Sequence, residues 1–133
     1  MTKLLSSFVR DRELILVDAE VAGPTGRTVE ARLVLDTGAA ATTLTPQVVE
    51  KIGYTRRGGF KKAKVHTAIG AEHGYWLRVA ELTVLDVATP DFALTVFPLG
   101  HKDIDGLVGM NFLRHFNFEI RSEERLVHLE LIK

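Results

Sequence analysis

The sequence predicts a mostly β domain, barrel-like or sandwich-like, and three features of the chain predict it. Short runs of alternating apolar and polar residues recur from Glu13 to the C-terminus. Turn clusters rich in glycine, proline and charged residues separate these runs, and the two helix-like stretches are both short. That order lacks the regular strand–helix–strand alternation of a parallel α/β sheet. At 133 residues the chain makes one domain, able to bury roughly two thirds of its unfolded surface in a single core. We place that domain at residues 13–133, behind an N-terminal extension of residues 1–12.

From Glu13 to Val21, Ile15, Val17, Ala19 and Val21 fall on one face and Leu14, Leu16, Asp18 and Glu20 on the other, the period of a strand. Gly23-Pro24-Thr25-Gly26 turns the chain, and Val29, Ala31, Leu33 and Leu35 resume the pattern, so the first two strands form a hairpin ending at Asp36. Ala41 to Leu44 reads as a short strand. Thr45 then offers an N-cap, Pro46 the first helical position and Gly53 a stop for a short helix through Ile52. Phe60 to Ala68 and Tyr75 to Leu85 read as strands joined by a loop from Ile69 to Gly74. Glycines at both ends of that loop fit a mobile polar tip, and an ordinary exposed hairpin loop explains the same residues. Thr89-Pro90-Asp91 precedes a strand from Phe92 to Leu99. Two apolar residues, Leu107 and Val108, lie between glycines and lead into a short helix through His115; the plain account is a buried strand ending in a glycine that permits close packing. Phe116, Phe118 and Ile120 alternate along the next strand, Ser122 to Arg125 turns, and Val127, Leu129 and Leu131 form the inward set of the last.

Composition removes several function classes. Seventeen basic residues balance seventeen acidic ones, and the nearest basic group, Arg56, Arg57, Lys61, Lys62 and Lys64, is interrupted by two glycines. Such a group reads as a solvated loop and strand edge, not a nucleic-acid surface. The absence of cysteine excludes disulfides, zinc–thiolate sites and thiol nucleophiles. The five histidines lie far apart, none paired at the spacing of a helical metal motif, so we expect no metal and no cofactor. No run is apolar and long enough for a secretory signal or a membrane span, which leads us to expect a cytoplasmic protein with no membrane partner.

One stretch needs a chemical reason. In Leu33-Val34-Leu35-Asp36-Thr37-Gly38-Ala39-Ala40-Ala41, an apolar strand runs into an acidic residue followed by residues too small to shield it. A carboxylate at the end of a buried strand costs several kcal/mol, on the order of what a buried charge costs anywhere, unless something satisfies it. Thr37 and Gly38 bring main-chain N–H groups close to it and leave room for a ligand, which makes Asp36 a site candidate. Asp-Thr-Gly is also an ordinary way to leave a strand, because Asp accepts hydrogen bonds from turn backbone and Gly accepts unusual dihedrals.

Two separated stretches resolve this together. Leu35-Asp36-Thr37-Gly38-Ala39 resembles the active-site motif of aspartic proteases, and Leu107-Val108-Gly109 with Met110-Asn111-Phe112-Leu113 resembles the apolar segment and short helix on which that motif packs. About seventy residues between them hold a helix and a glycine-flanked hairpin in the right order for a flap. The resemblance is to the single-domain, retropepsin-like branch, including its bacterial members, and covers Leu14 to Leu131. It implies a closed, β-barrel-like acid-protease fold with one or two short helices.

The resemblance also implies an activity and its residues. With one Asp-Thr-Gly per chain, a pair of carboxylates requires a homodimer in which each copy supplies Asp36. Two facing carboxylates share a proton and act as base and acid on a water that attacks a peptide bond. By the same resemblance Asp36, Thr37 and Gly38 form the catalytic turn, with the Thr37 hydroxyl bracing the two turns across the dimer axis. Ala39 and Ala40 would line the floor of an apolar substrate channel, Leu107 and Val108 its walls, Ile69 and Gly70 its flap, with Gly109 and Asn111 in support. The substrate would be an extended peptide or protein segment. Retroviral members commonly pair an acid two places after the motif glycine with an arginine after the second-motif glycine; here those positions are Ala40 and Met110, a joint loss that strands no charge. Two alternatives stay open: a catalytically silent module that kept the fold for dimerisation or peptide binding, and an unrelated β-barrel in which Asp36 merely ends a strand.

Overall fold

The computed structural model describes residues 3–11, 13–67, 70–100 and 103–132, and Ile69, expected in the flap, lies outside them. In chain order the elements are β1 (Lys3–Ser7), β2 (Val9–Asp11), β3 (Leu14–Ala22), β4 (Thr28–Leu35), β5 (Thr43–Leu44), α1 (Pro46–Lys51), β6 (Lys61–Thr67), β7 (Gly70–Val84), β8 (Val87–Val96), β9 (Gly106–Val108), α2 (Met110–Leu113), β10 (Phe116–Arg121) and β11 (Leu126–Leu131). A single 3₁₀ turn, Arg56–Gly58, leads from α1 into β6.

The larger sheet runs β2-β3-β4-β9-β5-β8-β7-β6, and β3 also pairs with β7. That extra pairing, Ala19 with Val84 through Ala22 with Glu81, closes β3, β4, β9, β5, β8 and β7 into a ring. Closure removes most free edges and leaves one interior, filled by Val17, Val21, Leu33, Leu44, Leu77, Leu82 and Leu94. The short β9 enters this ring between β4 and β5, parallel to the first and antiparallel to the second. It is seated there by Asp105, whose carboxylate accepts the Arg32 N–H at 2.9 Å and whose own N–H donates to Arg32 O at 2.8 Å.

Residues 3–11, which the sequence sets apart as an extension, are built into both sheets: β1 pairs with β11, and β2 pairs with β3. The Ser6 hydroxyl donates to Asp86 Oδ2 at 2.9 Å, tying β1 to the turn between β7 and β8. Leu16, assigned by alternation to the outer face, is buried, because β2 pairs along this end of β3 and Val9 stands opposite Leu16. Leu131, assigned to the inward set, is 45% exposed; the described β1 pairing with β11 stops at Glu130, and Leu131 is paired on the β10 side, opposite Phe116.

The helix α1 starts at Pro46 as expected, but the Thr45 side chain makes no capping bond. Thr45 is buried, its N–H donates to Asp105 O at 2.9 Å, and Gly53, with φ of +100°, ends the helix in the left-handed region. Strand β8 begins at Val87, upstream of the expected Phe92, and carries Pro90 within it opposite Glu81.

Candidate active site

Strand β4 delivers Asp36 at its end, where the Asp36 N–H still donates to Val108 O of β9 at 3.0 Å. The turn then closes on the carboxylate: the Gly38 N–H donates to Asp36 Oδ1 at 2.9 Å and the Ala39 N–H to Asp36 O at 3.3 Å. Asp36 is half-buried, while Thr37 and Gly38 are exposed. Among the described residues nothing bonds the Thr37 hydroxyl. Gly38 lies outside the left-handed region, and a Cβ there would meet only Asp36 Oδ1, at 3.3 Å. The chain's conformation therefore does not require glycine at this position, but a Cβ would press on the Asp36 carboxylate, which would have to give by a few tenths of an ångström.

A clamp of side chains and backbone holds this turn from beneath. The Met110 N–H donates to Ala39 O at 2.7 Å and the Asn111 N–H to Ala40 O at 3.0 Å, so the first turn of α2 grips the residues after Gly38. Asn111 Oδ1 accepts both the Thr42 N–H and the Thr42 hydroxyl, each at 2.8 Å. Its Nδ2 donates to Ala93 O at 2.8 Å, and Thr42 Oγ1 accepts the Gly109 N–H at 3.1 Å. Gly109 is required by close approach, since a Cβ would lie 2.6 Å from Ala41 C and 2.9 Å from Ala39 O. Thr42 is the residue that sequence reasoning missed. Its signal was indirect: an asparagine amid Val108, Phe112 and Leu113 must find polar partners, and Thr42 is the first hydroxyl-bearing residue after the three alanines that follow the Asp-Thr-Gly turn.

Beside the turn lies a cleft of about 620 Å³. Ala39, Ala40 and Ala41 line it, Leu107 stands on its wall, and β6 and β7 contribute residues from the facing side. Asp36 adjoins this cleft along the chain without lining it. Val108, expected on the wall, is fully buried beneath the Asp36 turn, so Leu107 lines the cleft without it. Gly70, at the start of β7, is exposed with φ of +146° and does not line the cleft.

The hairpin over the cleft is longer than expected. Glu72, His73 and Gly74 are not loop: they pair in β7 with Val65, Lys64 and Ala63 of β6. Gly74 marks close packing, because a Cβ would collide with the Val96 carbonyl and lie 2.8 Å from the Phe97 ring. The expected basic group also separates, with Arg56 held over the Tyr75 ring at 5.6 Å and Lys61, Lys62 and Lys64 lining the cleft from β6. Burial pushes the Tyr75 phenol above its ordinary value, the charge of Glu50 adds to this, and Arg56 opposes it. Among the described residues no three His, Asp or Glu side chains converge closely enough to hold a metal ion. Among them, too, no helix is long and apolar enough to cross a membrane.

The Asp36 turn, the Gly109 close approach and the hairpin all fall within residues 22–115, which match the family described as "gag-polyprotein putative aspartyl protease". The chain belongs to the retropepsin-like aspartic protease family. Solved structures agree in fold. A retropepsin-like aspartic protease from Rickettsia conorii matches with a TM-score of 0.70 at 23% identity, over 97% of this chain and 99% of that one. The EIAV protease in complex with the inhibitor HBY-793 matches with a TM-score of 0.55 at 15% identity, over 80% of this chain and 88% of that one. Among curated proteins nothing matches. In this retropepsin-like chain no acid–arginine pair joins Ala40 to Met110; main-chain bonds from α2 tie the two segments, and Met110 is half-buried against the core.

Proposed function

We propose that this retropepsin-like protein is an aspartic endopeptidase that works as a homodimer, each copy supplying one Asp36 carboxylate to a shared site. The observation that carries the reading is the state of the Asp36 turn. Its underside is fully clamped, whereas Thr37 and Gly38 are exposed and the Thr37 hydroxyl has no partner among the described residues. A second copy of the same turn, related by a two-fold axis, fits an open face of this kind. Hydrolysis of an amide without metal or covalent nucleophile needs one group to take a proton from water and another to give one to the carbonyl oxygen. Two carboxylates sharing one proton supply both, because like charges so close do not both ionise.

In this reading Thr37 braces the two turns and Gly38 leaves its backbone open to the substrate. Ala39, Ala40 and Leu107 contact an extended peptide, and Gly70 with Ile69 belongs to the tip of the hairpin that covers it. Gly109 and Asn111 act as positioning residues through the bonds described above. The working unit is residues 13–133, with residues 1–12 as an extension whose described strands, β1 and β2, pair onto it, and the enzyme acts in the cytoplasm.

The experiment is cleavage of a mixed peptide library between about pH 4 and 7, the acid side on which carboxylate dyads titrate, by the wild-type protein and by Asp36→Asn. The expected result is cleavage by the first and none by the second. Equal cleavage by both would reject the reading, and a dimer that binds peptides without cleaving them would favour a silent peptide-binding module.

A further inference from the structure

We infer that the cleft is built to take a carboxamide side chain, that of asparagine or glutamine, at one position of an extended peptide; the inference rests on reading this cleft as the substrate channel. One cross-strand row carries it. Leu107 of β9 stands opposite Thr43 of β5, Thr43 opposite Thr95 of β8, Thr95 opposite Trp76 of β7, and Trp76 opposite Lys61 of β6. Residues directly opposite in a ladder share a face of the sheet, and all five line the same cleft. A wall expected to be apolar therefore holds two hydroxyls and an ammonium group.

The protons of the two hydroxyls can be accounted for. Thr43 Oγ1 and Thr95 Oγ1 are 2.8 Å apart, so one proton lies between them. The other reaches a main-chain carbonyl, either Thr42 O, 3.3 Å from Thr95 Oγ1, or Ala41 O, 3.4 Å from Thr43 Oγ1. Both threonines are buried behind the cleft surface that they line, and with both protons engaged inside the wall the pair has lone pairs and no free donor to offer a ligand that reaches it. Lys61 is the complement: an exposed ammonium group with three donors and no acceptor, in no ion pair among the described residues. Lys62, Lys64 and Glu72 line the same cleft but stand outside this row: Lys62 is opposite Tyr75, Lys64 opposite His73, and Glu72 opposite Val65, four residues along β6 from Lys61.

Acceptors on one side and a donor on the other select the ligand. A carboxamide answers both, its carbonyl oxygen accepting from Lys61 and its NH₂ donating to Thr43 and Thr95. A carboxylate answers Lys61 and sets its lone pairs against those of the hydroxyls. An aliphatic side chain answers neither.

The test uses the full chain carrying Asp36→Asn, so that binding is read apart from turnover. Trp76 is the chain's single tryptophan and lines the cleft, so its fluorescence reports occupancy. Peptides that differ at one position, with Gln, Glu or Met and with Asn, Asp or Leu in turn, are titrated. At one position the carboxamide peptide is expected to bind about tenfold more tightly than either counterpart, the worth of one net hydrogen bond. That advantage is expected to vanish in the Thr43→Val/Thr95→Val pair and in Lys61→Met; the first keeps side-chain shape and the second changes an exposed residue, so one remains informative if the other fails to fold. Tighter binding of the acidic or aliphatic peptides, no binding of any peptide, or a carboxamide preference unchanged in both variants would overturn the inference. A carboxamide preference in a wild-type protein that cleaves nothing supports the inference and rejects the protease reading; cleavage with no such preference does the reverse.

Discussion

The side-chain oxygen of Asn111 accepts two hydrogen bonds from one residue, Thr42, through its main-chain N–H and its hydroxyl, both at 2.8 Å. This joins α2 to the segment that follows the Asp36 turn, some 69 residues away in the chain. Asn111→Leu keeps the volume and leaves two Thr42 donors without an acceptor, so it is expected to destabilise the protein by at least about 2 kcal/mol. Thr42→Val leaves one, the Gly109 N–H, and is expected to cost about 1–3 kcal/mol. Urea titration reads both as a lower midpoint with an unchanged slope. Peptide cleavage is expected to fall in both variants, since the turn carrying Asp36 loses its support.

Much of the fold was legible because its first half follows simple alternation. Val29, Ala31, Leu33 and Leu35 lead inward to Asp36 as their period requires, and Pro46 and Gly53 bracket α1. The motif at Leu107-Val108-Gly109 was legible for a different reason: no other residue fits beneath the Ala39 to Ala41 backbone. What stayed hidden depended on distant partners. Gly74 looks like loop punctuation until the Phe97 ring is seen to lie over it. Thr43 and Thr95 are unremarkable strand residues until β5 and β8 are paired in register. Thr45 has the right residue type for a cap, yet its buried setting directs its N–H to Asp105 and leaves its side chain out of the cap.

A second test concerns the hairpin that overlies the cleft. The Ala80 N–H of β7 donates to the Tyr54 hydroxyl at 2.8 Å, and that hydroxyl donates to Ala22 O at 3.2 Å. One buried phenol thus fastens β7 and the end of β3 to the segment after α1. Tyr54→Phe leaves the Ala80 N–H without its acceptor and is expected to cost about 1–3 kcal/mol. Hydrogen exchange at Ala80 is expected to accelerate more than exchange at residues of β10 and β11, to which the Tyr54 hydroxyl makes no hydrogen bond among the described residues.

A third expectation concerns acid pH. The hydrogen bond from Arg121 holds the Glu124 carboxyl below its ordinary value of 4.5. The folded value is the lower one, so the stabilising contribution is present above 4.5 and is lost as pH falls through the depressed value. Arg121→Met is expected to return the Glu124 titration, followed by NMR, toward 4.5 and to flatten that part of the acid dependence of stability. Both side chains are exposed, so stability at neutral pH is expected to change little.

The most direct test of the central claim is subunit mixing. Asp36→Asn protein is added in increasing amounts to a fixed amount of wild type, the two are allowed to exchange subunits, and peptide cleavage is followed. If each active site needs one Asp36 from each of two chains, mixed dimers are inactive and activity falls steeply as the variant comes into excess. Activity that stays constant while the two proteins demonstrably exchange would contradict the account, because a single Asp36 would then suffice.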